Sequence, residues 1–235
     1  MSISFHHVLL ETATAVVPEL AMFYSGTLGL RPVPAETGNV AVAVGETTLE
    51  FRPGHGRPFY HYALLVPGDR FDAAYRWAVG RLALLPDVRT GAKVFDFEHW
   101  DAQALYFHDP ADNIGELIAH RGIGESGVTG RFQPDELLGL SEVGIVGDPP
   151  LLAEALAETF ALPVWSGSVT EEGRLGFIGE KARTLILARA GRPWLPTGRP
   201  AEAHPVEVVL AGVVDGDIQL DSGGSVRRVS LPHPS

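Results

Sequence analysis

A strand, a helix and three further strands recur three times along this 235-residue chain, and that repetition restricts the fold more than any single motif. In the first copy a short apolar strand, 5–11, carries His6 and His7. Pro18 then opens a helix with Leu20, Phe23 or Tyr24, and Thr27 or Leu28 on one face, and Gly29 ends it. Strands follow at 31–34, 39–44 (Val40, Val42 and Val44 alternating) and 47–52, the last containing Glu50, with a Gly45-Glu46 turn between the final two. In the second copy strand 60–66 carries His61, and Asp69 is the expected N-cap of a helix striped by Phe71, Ala74 or Tyr75, Ala78 and Leu82. Strands 94–97, 104–107 and 116–119 complete it, with Glu116 opening the last. The third copy has strand 141–146, an Asp148-Pro149 helix start, a stripe through Leu151, Leu152, Ala155, Thr159 and Phe160, and strands at 164–166, 174–178 and 184–188. A helix-free meander, 206–213, 218–220 and 226–231, reads as a truncated fourth copy. The pattern predicts an α+β protein of βαβββ modules that pair, because each open sheet needs a partner. The expected division is a two-module domain at 1–121, a Gly-containing linker at 122–139, and a third module with a partial fourth at 140–235.

Charge and composition narrow the function. A net charge of −11 and the lack of any Lys/Arg cluster argue against a nucleic-acid partner. With no cysteine, any metal must be held by His, Asp and Glu. There is no run of 18 apolar residues and no basic-then-apolar start, so no membrane association is expected and a cytoplasmic location is the default.

The repeat aligns four ligand-type side chains. His7 and His61 fall on first strands, Glu50 and Glu116 on last strands, 43 and 55 positions apart within their copies. A helix covers one face of such a sheet, so residues on the other face of two paired modules converge on a cleft. Two imidazoles and two carboxylates there suit a divalent ion of borderline softness: Zn, Ni, Fe, Mn or Co. A single His on an apolar strand is more often simply packed or exposed; His6, pointing opposite to His7, is that case. In the third copy the equivalent positions are Glu142 and Ile186, 44 apart, and this module is expected to have lost its ligands. The second copy's extra length falls at 87–100, where Phe95, Phe97, His99 and Trp100 crowd together, either as a pocket wall or as added packing.

The stretch 105–120 adds a resemblance. Tyr106-Phe107-x-Asp109-Pro110-x-x-Asn113-x-x-Glu116 is similar to the closing hairpin of vicinal oxygen chelate modules, shared by glyoxalase I, extradiol dioxygenases, fosfomycin-resistance proteins and methylmalonyl-CoA epimerase; it departs from the commonest form at Ala111, Asp112 and Gly115. The resemblance implies paired modules forming open, incomplete barrels around a divalent metal. It also implies a small-molecule substrate with adjacent oxygens. His7, Glu50, His61 and Glu116 resemble the ligand set of glyoxalase I, in which the metal stabilises an enediolate and a carboxylate, Glu116 or Glu50, moves the proton. A rival keeps the metal and changes the reaction: His7, His61 and Glu116 resemble the two-His-one-carboxylate site of extradiol dioxygenases, with Tyr106 ten positions before Glu116 as a supporting group. A third resemblance is to bleomycin resistance proteins, non-catalytic modules that sequester drugs; there Trp77, Trp100, Trp165 and Trp194 would matter most, although Trp77 reads as helix core. The 52–59 connector allows modules one and two to close on each other or to swap across a homodimer.

Overall fold

The computed structural model describes residues 2–228. Module one comprises β1 (Ser4–Ala13), α1 (Val17–Ala21, continuing in wider turns through Met22–Thr27), β2 (Arg31–Pro32), β3 (Val40–Val44) and β4 (Thr47–Gly54). Module two comprises β5 (His61–Val66), α2 (Phe71–Val79), β6 (Leu84–Leu85), β7 (Phe95–Phe97), β8 (Ala102–His108) and β9 (Ile114–His120). Module three comprises β10 (Gly139–Val146), α3 (Pro149–Phe160), β11 (Val164–Gly167), β12 (Gly176–Glu180) and β13 (Arg183–Ala188). A helix-free remainder supplies β14 (Val206–Ala211), β15 (Asp217–Gln219) and β16 (Ser225–Arg228); positions 229–231 of the expected last strand lie outside the described residues.

Two open sheets result. One runs β15-β16-β14-β1-β4-β3-β2, the other β11-β12-β13-β10-β5-β9-β8-β6 with β7 added on β8. Module one therefore pairs with the partial fourth module, and module two with module three. The cleft expected between modules one and two does not form, nor does the 1–121 segment make a unit of its own. Chain length did not force this, since crossing from β4 to the far side of β1 spans two strand spacings, ~10 Å. Instead modules one and two pack back to back. Tyr24, beside α1, stacks on Phe51 of β4, while neighbouring Phe23 meets Phe107 of β8. The hydroxyls of Tyr24 and of Tyr62 on β5 meet each other, and both lie within hydrogen-bond reach of buried Asp109, at 2.7 and 3.2 Å. A buried carboxylate shared by hydroxyls from two modules fixes their mutual placement, because neither can leave without stranding a polar group. A continuous apolar core lies on this side of both sheets, with α1, α2 and α3 inside it.

Local chemistry explains the elements. In α3 Pro149 opens the first turn, and Ala153, Leu156 and Phe160 bury one face before Ala161 turns left-handed. Asp69 does not cap α2; Arg70 holds that position, and the Asp69 carboxylate accepts the backbone N–H groups of Ser126 and Gly127, tethering the linker. In the 105–120 hairpin Asp109 accepts the backbone N–H of Ala111 and Asn113, and the Asn113 amide donates back to it. Gly115 is small for a reason: a Cβ there would sit 2.4 Å from the Phe107 ring.

Candidate metal centre and pocket

Three side chains meet on the face of the second sheet that turns away from the helices. Ala63 of β5 is in register with Glu116 on parallel β9 and with Glu142 on antiparallel β10, and His61 lies two residues before Ala63 on the same face. A bulge at Ser141 lets Leu140 and Val143 both enter the core while Glu142 projects the other way. His61, Glu116 and Glu142 are 5%, 1% and 4% exposed, and one donor atom from each lies within 4.8 Å of the others. Nε2 of His61 is 3.5 Å from Glu116 Oε2 and 3.8 Å from Glu142 Oε2.

The His61 contacts are long for hydrogen bonds, and carboxylate oxygens within 4.8 Å of each other are close for two unscreened charges. The imidazole is oriented by its other nitrogen. Its Nδ1 faces the Ile114 carbonyl oxygen at 3.1 Å, and an oxygen that can only accept keeps the proton on Nδ1. His61 thus turns its Nε2 toward the two carboxylates. Burial, and the charge of Glu142 beside it, push the Glu116 carboxyl well above its usual range, against a hydrogen bond from Tyr106. Tyr106, directly across from Glu116 on β8, is pushed up in turn by burial and by both carboxylates. A divalent cation resolves all of this, and the donor set fits one: ligand bonds of ~2.0–2.2 Å in tetrahedral geometry separate donor atoms by about 3.4 Å. The fourth aligned position, Ile186, offers no donor, leaving coordination sites for outside oxygens.

A cavity of ≈ 490 Å³ opens over this triad. Its walls are aromatic. Trp194, buried, places its ring 5.1 Å from that of His61; Trp100 packs edge-on to Phe177 and donates its indole N–H to Ser166 Oγ at 2.9 Å. Phe97 and His99, from the crowded 87–100 stretch, line it as well. Gly144, opposite His61, makes room, since a Cβ there would stand 3.1 Å from the Trp194 ring. Trp77 lies away from the cavity, packed against Phe132.

The four expected ligands are thus divided. His61 and Glu116 stand together; His7 and Glu50 lie on the other sheet, bonded to each other at 2.8 Å, with the Asn39 amide donating to Glu50 at 2.6 Å. Glu142, expected to belong to an emptied module, completes the triad. The signal was available, since Glu142 occupies the strand position of His7 and His61 and is a carboxylate inside an apolar strand. What hid it was the assumption that the first two modules share a cleft.

No family model matches the chain, and neither does any curated protein. Solved structures do. A Bacillus subtilis strain 168 protein described as a "putative dioxygenase" aligns over 88% of this chain and 69% of its own, at 18% identity and a TM-score of 0.55. Glyoxalase I from Zea mays aligns over 97% of this chain and 92% of its own, at 12% identity and a TM-score of 0.54. At these identities the likeness is one of fold. Paired βαβββ modules and open sheets give the fold of the vicinal oxygen chelate proteins, as the 105–120 hairpin led one to expect. No helix among the described residues is long and apolar enough to cross a membrane.

Proposed function

We propose that modules two and three form a divalent-metal-dependent enzyme acting on a small molecule with two adjacent oxygens, by non-redox proton transfer of the lyase or isomerase kind. The observation that carries this reading is the buried His61–Glu116–Glu142 triad, with His61 Nε2 turned toward both carboxylates, at the base of a cavity. One imidazole and two carboxylates make a harder donor set than two imidazoles and one carboxylate, which favours Mn, Fe or Zn acting as a Lewis acid over the arrangement expected for oxygen activation. A bound ion would hold both substrate oxygens and stabilise the negative charge that develops on them. The chain supplies the rest. Aromatic walls exclude water from the developing charge. The Tyr106 hydroxyl, hydrogen-bonded to Glu116, keeps that carboxylate oriented, and Glu116 or Glu142 takes the proton from the carbon that bears one of the two oxygens and returns it to the neighbouring carbon. Glu50, expected as an alternative base, sits on the other sheet and has no place in this step.

Ring cleavage of a catechol is the second reading, favoured by cavity walls built for a flat ring. One experiment separates the two. Purified protein, loaded in turn with Mn(II), Zn(II) and anaerobic Fe(II), is given α-hydroxycarbonyl substrates in D₂O and catechols with an oxygen electrode. Deuterium incorporation at carbon supports the proposal, oxygen consumption with catechol overturns it in favour of ring cleavage, and neither signal with any loaded metal overturns both.

A further inference from the structure

The cavity over the triad has a second polar end. Arg192 and Arg174 line it alongside the aromatic rings, while its base carries Glu116 and Glu142. Arg174 is exposed and lies 3.6 Å from Glu171, a loose pairing in water. Arg192 differs. Its guanidinium is partly buried, and the protein gives it only backbone carbonyls: Nη1 donates to Pro193 O at 2.6 Å and Nε to Gly173 O at 3.3 Å. No carboxylate pairs with it among the described residues, in a chain with 29 acidic side chains and 18 basic ones. Burial lowers its pKa, as expected of a cation kept from water without a counter-charge. Elsewhere half-buried Arg52 is neutralised by Glu11 and Glu207 and buried Arg70 by Glu136, while Arg199 lies over the Phe59 ring and donates to Asp112 O. An arginine left unpaired in a pocket, with both carbonyl-bound edges fixed and further N–H groups free, is a prepared acceptor for a planar anion.

We infer that the ligand of this pocket is a flat, unsaturated or aryl carboxylate, its two adjacent oxygens at the His61–Glu116–Glu142 end and its carboxylate on Arg192. The rings that line the same cavity, Trp100, Trp194 and Phe177, set the flatness. The size agrees, since ≈ 490 Å³ holds a one- or two-ring acid. This inference rests on the proposed site for its oxygen-binding end only.

The test uses 3,4-dihydroxybenzoate, catechol and benzoate as probes, with quenching of Trp100 and Trp194 fluorescence in metal-free and Mn(II)-loaded protein. The expected result is that 3,4-dihydroxybenzoate binds on the order of tenfold or more tightly than catechol. Arg192→Met should erase that preference and leave catechol affinity unchanged, Arg192→Lys should retain part of it, and Arg174→Ala should shift it less than Arg192→Met. Equal affinity for the two diols, no binding of any probe, or a preference that survives Arg192→Met overturns the inference. Failure of the metal reading looks different: affinities would be indifferent to Mn(II), while benzoate binding would still depend on Arg192.

Discussion

The two sheets carry the same constellation and settle its charges in opposite ways. On one, Ala63 faces Glu116 and Glu142, with His61 two residues earlier; on the other, Leu9 faces Glu50 and Glu207, with His7 two residues earlier. Glu207 is therefore the counterpart of Glu142. In the His7 cleft the carboxylates are answered from within: Glu50 by the His7 ring and Asn39, Glu207 and Glu11 by Arg52, at 2.6 and 3.0 Å. Arg52 sits two residues after Glu50, where the other sheet has Ile118. In the His61 cleft no guanidinium pairs with either carboxylate among the described residues, His61 Nδ1 faces the Ile114 carbonyl, and aromatic rings line the site. A guanidinium and an ion are alternative answers to one problem, the burial of two acids together.

The sharpest way to break this comparison is to count ions. Wild-type protein should bind one Mn(II) or Zn(II) per chain. His61→Ala, Glu116→Gln or Glu142→Gln should weaken that binding on the order of 100-fold or more, while His7→Ala and Glu50→Gln leave it unchanged. Isothermal titration after chelator treatment reads both results; loss of the ion in the His7 variant would invert the assignment of the two clefts. The next effect in size tests the guanidinium. Arg52→Met frees Glu207 and Glu11, and a second equivalent should then appear, at least about tenfold weaker because His7 and Glu207 are more exposed to water than their counterparts. A titration that still saturates at one ion per chain would show that Arg52 does not stand in for a cation.

The modules were legible because each carries its own period: alternating valines at 40, 42 and 44, the 3–4 spacing of Leu152, Ala155 and Thr159 beside buried Leu156, and the Asp109-Pro110 turn. All of these are local, and local pattern decides strands, helices and turns. Pairing was not legible, because it is decided by contacts between distant residues. The hydroxyl of Tyr24 meeting Asp109 spans 85 positions, and nothing in either neighbourhood announces it. Of the four expected ligands, the fold brings His61 and Glu116 together and leaves His7 and Glu50 on the other sheet. His61 and Glu116 lie on parallel neighbours within one module, so their meeting follows from that module alone. Glu142 required knowing that β10, and not β1, lies beside β5.

A smaller effect concerns acidity in the metal-free protein. The folded chain holds the Glu116 proton more tightly than the unfolded chain does, because burial and Glu142 oppose its charge. That contribution to stability is fully present below the ordinary carboxylate range and is lost as pH climbs from there through the raised value, at about 1.4 kcal/mol for each unit of displacement. Glu116→Gln should therefore flatten the pH dependence and raise the neutral-pH Tm of chelator-treated protein by ~2–4 °C per kcal/mol relieved. Adding Mn(II) should stabilise the wild type and not the variant. An unchanged melting profile from pH 4 to 8 would show that the two carboxylates are not in electrostatic conflict.

The smallest effect belongs to the His7–Glu50 pair, and it sharpens the contrast because no ion is involved. His7 is a quarter exposed at its side chain and Glu50 about a tenth, so water screens their 2.8 Å contact in part. Removing the imidazole leaves Glu50 with Asn39 as a donor, which limits the loss to about 0.5–1.5 kcal/mol. The melting temperature of His7→Ala should fall by only a few degrees, and by the same amount with chelator as with Mn(II), since the pair balances itself. If the drop instead grew in the presence of the ion, His7 would be coupled to metal binding, and the two clefts would not be solving their charge problem independently.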